Sequence, residues 1–167
     1  MVKESRRKNA KENKTWATKA LREDHERIQG LFADFDDPAE AERRQEILDL
    51  AVAEIRVHRA LVEEILVPAV RSAAEDPSAL SEVMEDLQGW EALLHEVERL
   101  RLQDPGFSKA WRALRTELER HMQRGHQGLL ELAETVPLNY ADLGLRMAEL
   151  RQQITAERPT ASQDTNN

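Results

Sequence analysis

The sequence predicts an all-α fold: an up-down-up-down four-helix bundle with a short additional C-terminal helix. Its 167 residues are enough for one domain with a core, and a content of 40% hydrophobic and 34% charged residues suits amphipathic helices with solvated outer faces. Six glycines, six prolines and 4% aromatic residues argue against a β-sandwich, which needs more turns and more β-branched runs. Long amphipathic segments with short connections between them predict the bundle.

The first two predicted helices are separated by the turn DFDDP. Residues 15–35 carry apolar side chains at helical spacing and form the first helix. Asp37 is the predicted N-cap of the second helix, residues 38–72, because a carboxylate directly before Pro38 can accept a hydrogen bond from a free helical N–H. Pro68 lies late in this helix and is expected to bend or end it, since proline removes a backbone donor.

Three further helices follow, and both ends of the chain are polar. The helices are predicted at residues 77–102, 108–136 and 140–157. Residues 1–14 and 158–167 are too polar to bury a core, and we expect them to be disordered tails. One domain, residues 15–157, is therefore expected.

The charge and cysteine content exclude several classes of function. With 24 basic and 32 acidic residues the net charge is −8, which argues against a nucleic-acid footprint across the domain. The absence of cysteine excludes disulfides, thiolate metal sites and cysteine nucleophiles. No apolar run approaches the roughly 20 residues of a membrane span, and the basic opening segment lacks the apolar region of a secretory signal. A soluble cytoplasmic protein without a membrane partner is therefore expected.

Histidines are the most informative residues of this chain. They are His25, His58, His95, His121 and His126, and each of the four long predicted helices carries at least one. At about 100° per residue, His25, His58 and His121 fall within apolar stripes, and His95 lies at the edge of one. Each could be a core histidine satisfied by a nearby backbone or carboxylate group. Histidines from four helices instead indicate a shared metal, because burying several imidazoles is costly unless each has a partner.

The types of ligand narrow the choice of metal. Imidazole and carboxylate ligands without sulfur suit iron, manganese or zinc. Five imidazoles with one or two carboxylates are too many for one tetrahedral zinc ion. Two adjacent ions, bridged by carboxylate and oxygen, fit the number of ligands better.

Several stretches of the chain resemble one known family. They are LREDHERIQGLFADF, VHRALVEEILVPAV, EALLHEVERL, ELERHMQRGH and YADLGLRMAELRQQI, which lie within residues 15–157. The resemblance is to hemerythrin-like proteins of the HHE cation-binding domain family. It implies a four-helix bundle around a non-heme di-iron centre, in proteins that bind dioxygen, respond to nitric oxide or act on peroxide. His25, His58, His95 and His121 match the four histidines that recur in the helices of the family.

The sequence departs from the family at the bridging carboxylates. The family usually places one of them four residues after the histidine of the second and of the fourth helix, and Val62 and Gly125 occupy those positions here. Glu63 and His126 come one residue later, where an ideal helix rotates the side chain by about 140° instead of about 40°. A local π-bulge, which often marks a functional site, would bring such a residue inward. The resemblance thus implies two iron ions held by His25, His58, Glu63, His95, His121 and His126.

Other carboxylates remain open as ligands. Glu54, Glu91 and Glu117 each lie four residues before one of the bundle histidines and face the predicted core better than Glu63 does. They would be bridging ligands in a rearranged centre, or acceptors that fix the imidazole tautomers. Glu98 is a further candidate, and Glu63 could instead be a solvated carboxylate at the flank of its helix.

The expected function is that of a non-heme di-iron protein which binds dioxygen, nitric oxide or peroxide, for sensing, storage or protection against oxidative and nitrosative stress. An iron centre with altered ligands could instead belong to an enzyme that breaks down peroxide or oxidises a small substrate. A third alternative is a structural bundle whose metal site has been altered or lost. No nucleophile triad, phosphate loop or dinucleotide fingerprint is present in the sequence.

Overall fold

The computed structural model describes residues 16–76 and 78–157, except for the side chains of Trp16, Ala79 and residues 125–127. Its α-helices are α1 (Trp16–Asp36), α2 (Arg44–Ala60), α3 (Val67–Ala73), α4 (Ala79–Arg99), α5 (Phe107–Gln127), α6 (Leu129–Thr135) and α7 (Tyr140–Ala156). A 3-10 helix, Pro38–Arg43, precedes α2, and a π-helix, Leu61–Leu66, joins α2 to α3. The described residues contain no strand, so the predicted all-α fold is confirmed. The predicted tails, residues 1–14 and 158–167, lie outside the described residues.

Four rods of helix surround one core, and a fifth helix flanks them. The rods are α1, the continuous α2–π–α3 helix, α4, and the broken α5–α6 helix, while α7 packs on α1, on α2 and on the π-helix. Each rod contributes fully buried side chains at helical spacing, such as Leu21, Ile55, Leu87 and Leu114. Burying one such side chain stabilises the fold by about 1.5–3 kcal/mol. The apolar stripes therefore set which faces of the rods meet.

The second rod begins as its capping residue predicts. The carboxylate of Asp37 accepts a hydrogen bond from the backbone N–H of Ala39 at 2.8 Å, and Pro38 is the first helical residue. The first six residues form the 3-10 helix, and α geometry begins at Arg44. The predicted N-cap is confirmed.

This rod does not end at Pro68, one of the two outcomes that the sequence predicts there. In α geometry the ring of Pro68 would clash with the carbonyl of Glu64, and its missing N–H would cost a hydrogen bond. The π-helix ends two residues before Pro68, and the N–H of Val67 donates to the carbonyl of Val62, five residues back. This wider turn changes the backbone directly before the proline. The helix then extends to Ala73.

The fourth rod is broken where the sequence predicts one uninterrupted helix. Gly128 separates α5 from α6, with φ −126° and ψ −96°, well outside the helical region. Glycine is a common cause of such a sharp break because it has no Cβ and little preference for the helix. The break directs α6 against α1, α3 and α4.

The last helix is tied to α6 by one tyrosine. The hydroxyl of Tyr140 lies 2.6 Å from the carbonyl oxygen of Ala133 and 2.9 Å from that of Val136. Asn139 caps α7 by accepting a hydrogen bond from the N–H of Asp142. These contacts fix where α7 starts, so that it runs back along α1 and the second rod.

None of the described helices is both long enough and apolar enough to cross a membrane.

Candidate metal centre

Three histidines from three rods meet in the core. His25 on α1, His58 on α2 and His121 on α5 are 5%, 1% and 6% exposed. The Nε2 atom of His58 lies 3.1 Å from Nε2 of His25 and 3.5 Å from Nε2 of His121. One donor atom from each ring lies within 4.8 Å of the other two. We call His25, His58 and His121 the histidine cluster.

The spacing of these nitrogens suits a metal ion. Tetrahedral ligands with metal–nitrogen bonds of about 2.0–2.1 Å lie roughly 3.3–3.4 Å from one another. The two Nε2–Nε2 separations in the cluster, 3.1 and 3.5 Å, lie on either side of that value. A proton on one ring nitrogen can form a hydrogen bond to one neighbouring ring. A cation can instead accept the lone pairs of all three rings. The histidine cluster therefore has the chemistry and the geometry to hold a metal.

Burial keeps one of these rings neutral at ordinary pH. Desolvation, and next the nearby His58, lower the pKa of His121 from 6.5 to about 3. A neutral imidazole has a lone pair available for a metal, while a protonated one has none. His121 is therefore ready to bind a cation without first losing a proton.

A buried carboxylate lies behind the cluster. Asp24 is 0% exposed, and its Oδ2 atom lies 3.4 Å from Nδ1 of His58. Its Oδ1 atom accepts hydrogen bonds from Arg27 and from Arg151, the latter on α7. Arg27 and Arg151 also contact Glu54 at 3.4 and 3.3 Å. A proton on Nδ1 of His58 would face Asp24, which leaves Nε2 of that ring free for a metal.

A small cavity adjoins the histidine cluster. Its volume is about 90 Å³, and Leu21, Val62 and the three histidines line its inner part. Glu82, Asp86 and Arg124 line the outer part, where the guanidinium of Arg124 lies 3.5 Å from the carboxylate of Asp86. One water molecule occupies about 30 Å³ of liquid. The cavity therefore has room for a ligand of a few atoms beside the nitrogens.

Trp90 encloses the cluster on another side. The ring centroid of this buried tryptophan lies 5.4 Å from that of His121 and 6.4 Å from that of His58. Its bulk excludes water from this side of the imidazoles and so keeps the local dielectric low.

Two predicted ligands, Glu63 and His95, do not join the histidine cluster. Glu63 is half-buried and pairs with Arg59 at 3.0 Å, while Val62 lines the cavity in its place. The π-helix Leu61–Leu66 lies in this part of the rod, but it does not turn Glu63 to the histidines. His95 is exposed on the outer face of α4, where it lines a shallow surface depression with Arg59. The side chain of His126 lies outside the described residues.

The alternative carboxylates are each paired with arginine. The contacts join Glu54 to Arg27 and Arg151, Glu91 to Arg59, Glu98 to Arg56, and Glu117 to Arg120. None belongs to the metal-ligating group that the described residues form. Glu54 comes nearest to its predicted supporting role, since it shares both arginines with Asp24.

Asp24 is a residue of the candidate site that the histidine pattern of the sequence does not reveal. It lies three residues after Leu21 and four before Ile28, so it falls on the same apolar stripe as His25. A carboxylate on such a stripe, directly before a candidate ligand, is the signal that could have revealed it. Its partner Arg151 lies 127 residues away in the chain and carries no comparable local signal.

Acidification should destabilise the metal-free protein. The unfolded chain protonates His121 near pH 6.5, but the folded chain does so only near the lowered pKa of about 3. Between these values the unfolded state binds more protons, so the free energy of unfolding falls as the pH falls, by up to about 1.4 kcal/mol per pH unit. Urea unfolding of metal-free protein at pH 7, 6 and 5 measures this slope. The slope should be shallower in His121→Gln, and parallel curves for the two proteins would contradict the expectation.

Comparison with solved structures identifies the fold. The chain is similar to the crystal structure of a hemerythrin HHE cation binding domain-containing protein from Mycobacterium kansasii, with a TM-score of 0.65 and 23% sequence identity. The match covers 83% of this chain and 86% of that one. No protein-family model and no curated protein sequence matches the chain. The chain therefore has the hemerythrin HHE fold that its sequence motifs predict, with a buried histidine cluster suited to a metal in its core.

Proposed function

We propose that this chain is a hemerythrin-like non-heme iron protein that binds dioxygen, nitric oxide or peroxide at a metal held by His25, His58 and His121. The observation that carries the proposal is that one ring nitrogen from each of these three buried histidines lies within 4.8 Å of the other two. Imidazole ligands without sulfur suit iron, and the fold is that of a cation-binding domain. Sensing, storage or stress protection would be the role, in the cytoplasm and without a membrane or nucleic acid as partner.

The number of ions depends on residues around the cluster. Three imidazoles suffice for one ion, which leaves at least one position open to an external ligand. The two-iron centre implied by the family resemblance needs further donors from Glu63, His95 and His126. Glu63 would have to leave Arg59, and His95 would have to leave the protein surface. We therefore propose that the three histidines form the minimum site, which binds one iron ion. A second ion would need the further donors.

Different residues around the proposed metal have different roles. The bound iron would supply an open position for a small ligand. Asp24 orients His58 from behind, and Arg27 and Arg151 hold Asp24 in place. Trp90 and Val62 shield the imidazoles from water. The cavity of about 90 Å³ favours a diatomic ligand or peroxide over a larger organic substrate.

Metal loading under anaerobic conditions tests the proposal. Purified protein is loaded with Fe(II), desalted, and analysed for iron per chain and for its optical spectrum with dioxygen, nitric oxide and peroxide in turn. We expect at least one iron per chain and a ligand-dependent charge-transfer band. A reversible band with dioxygen supports a carrier, and turnover of peroxide with loss of the band supports the enzyme alternative. Iron content equal to that of the His25→Ala/His58→Ala/His121→Ala variant would leave only the structural bundle.

A further inference from the structure

A second and larger cavity lies toward the opposite end of the bundle from the break at Gly128. Its volume is about 520 Å³, and it lies where the end of α1 meets the start of α5. Phe35 lies ten residues after His25, and Trp111 lies ten residues before His121. Ten residues extend about 15 Å along a helix. This cavity is therefore separate from the histidine cluster, and none of its lining residues borders the smaller cavity.

One wall of the cavity is aromatic. The ring centroids of Phe35 and Trp111 lie 5.0 Å apart, and the rings of Phe107 and Trp111 are nearly parallel, at 14°, with centroids 6.3 Å apart. All three rings are largely buried, yet all three line the cavity. Such a wall offers a flat apolar surface against which a ring or an alkyl chain can pack.

Arginines without carboxylate partners line the same cavity. Eleven of the fifteen described arginines have such a partner, so the remaining four stand out in a chain of net charge −8. Two of the four, Arg44 and Arg112, lie here. Arg44 stacks over the ring of Phe35 at 5.3 Å and donates to the carbonyl of that residue. Arg115 lines the cavity too, but it contacts Asp36 at 2.5 Å and Glu119 at 4.0 Å, and both of these carboxylates also line the cavity. Both carboxylates of the lining contact Arg115, so Arg112 is the guanidinium of the cavity that is left for an anion.

Trp111 adds an unused hydrogen-bond donor. Trp111 is 4% exposed, and its Nε1 atom is buried without a hydrogen-bond partner among the described residues. Buried tryptophan N–H groups usually find an acceptor, and one without an acceptor calls for an explanation. The atom is closed off from solvent, so a ligand oxygen would reach it only after a shift of the side chains around it.

We propose that this cavity binds a small organic anion with a flat apolar body, of the class of aromatic carboxylates. Its ring packs against Phe107 and Trp111, and its carboxylate accepts hydrogen bonds from the guanidinium of Arg112. Arginine suits this role because its planar fork of N–H donors matches the two oxygens of a carboxylate. A volume of about 520 Å³ falls within the range of about 300–1,000 Å³ of small-molecule sites. The site is independent of the metal centre.

Calorimetric titration of the full chain with 2-naphthoate tests this proposal. The uncharged 2-naphthamide is the matched ligand, because it keeps the ring and removes the charge. Arg112→Gln is the test variant and Arg99→Gln is its control, since both residues are exposed arginines without a carboxylate partner and only Arg112 lines the cavity. Each variant loses one positive charge, so the net charge of the two proteins remains equal.

We expect saturable binding of 2-naphthoate to the wild type, and weaker binding by about tenfold or more for 2-naphthamide. Arg112→Gln should weaken naphthoate binding by about tenfold, while Arg99→Gln should change it by less than about twofold. Helical circular dichroism and melting temperature confirm that both variants fold. Absence of saturable binding, equal affinity for the two ligands, or equal effects of the two substitutions would each overturn the proposal.

Discussion

The His58→Ala variant should lose metal binding almost completely. His58 is the middle member of the histidine cluster, because its Nε2 atom lies within 3.5 Å of Nε2 in both His25 and His121. Removing it leaves two imidazoles and breaks the link to Asp24. Loss of a residue that only hydrogen-bonds to a metal ligand weakens metal binding by up to roughly 100-fold. We expect a larger fall in metal affinity here, because a ligand itself is lost. Competition with a chelator of known affinity, under anaerobic conditions, measures the change.

His95→Ala is the matched control for this experiment. It also removes one imidazole from a helix of the bundle, but this imidazole is exposed on the outer face of α4. The described structure leads us to expect metal affinity within about twofold of the wild type, since surface substitutions change little. The family resemblance implies the opposite result, a large loss. A loss as large as that of His58→Ala would show that His95 turns inward when the metal is bound.

Substituting Asp24 by asparagine should weaken both the fold and the metal site. The carboxylate is fully buried, and its removal leaves Arg27 and Arg151 with Glu54 as their remaining shared anion. Breaking a buried ion pair costs about 3–5 kcal/mol, and we expect about 1–3 kcal/mol here because both arginines are partly exposed. Metal affinity should fall by about 10- to 100-fold, because His58 loses the group that orients it. Thermal unfolding and chelator competition measure the two effects.

Glu23→Gln is the control for Asp24→Asn. Glu23 is the preceding residue on the same helix, and its exposed carboxylate lies 3.6 Å from Lys19. This substitution should change the free energy of unfolding by less than about 0.5 kcal/mol and leave metal affinity unchanged. If Asp24→Asn lowered the melting temperature without affecting metal affinity, Asp24 would be a structural residue only. Arg151→Gln should then reproduce the same loss of stability.

The periodicity of apolar residues was sufficient to predict the rods and much of their buried face. Leu21, Ile55 and Leu114 lie on the apolar stripes of their helices, and all three are fully buried. Periodicity also placed His25, His58 and His121 on inward stripes, and these are the three that meet. These predictions succeed because the apolar stripe that becomes buried is visible in the sequence of each helix alone.

Side chains at the margins of the stripes could not be assigned in this way. Arg59 binds both Glu63 and Glu91, so two predicted or alternative ligands are held at the same guanidinium. Such a contact depends on how two rods are placed side by side, which a helical wheel does not describe. His95 lies at a stripe edge, and neighbouring Leu94 and Val97 take the buried positions instead. Edge residues are therefore decided by tertiary packing.

The π-helix also bears on how this bundle can change by insertion and deletion. A π-turn accommodates one residue more than an α-turn, so the rod can lose a residue at Leu61–Leu66 while the segments on both sides keep their orientation. Deleting Val62 would leave Glu63 four positions after His58, the interval that the family resemblance implies for a bridging carboxylate. Deletion of one codon would therefore place a carboxylate at the position where Val62 now borders the histidine cluster.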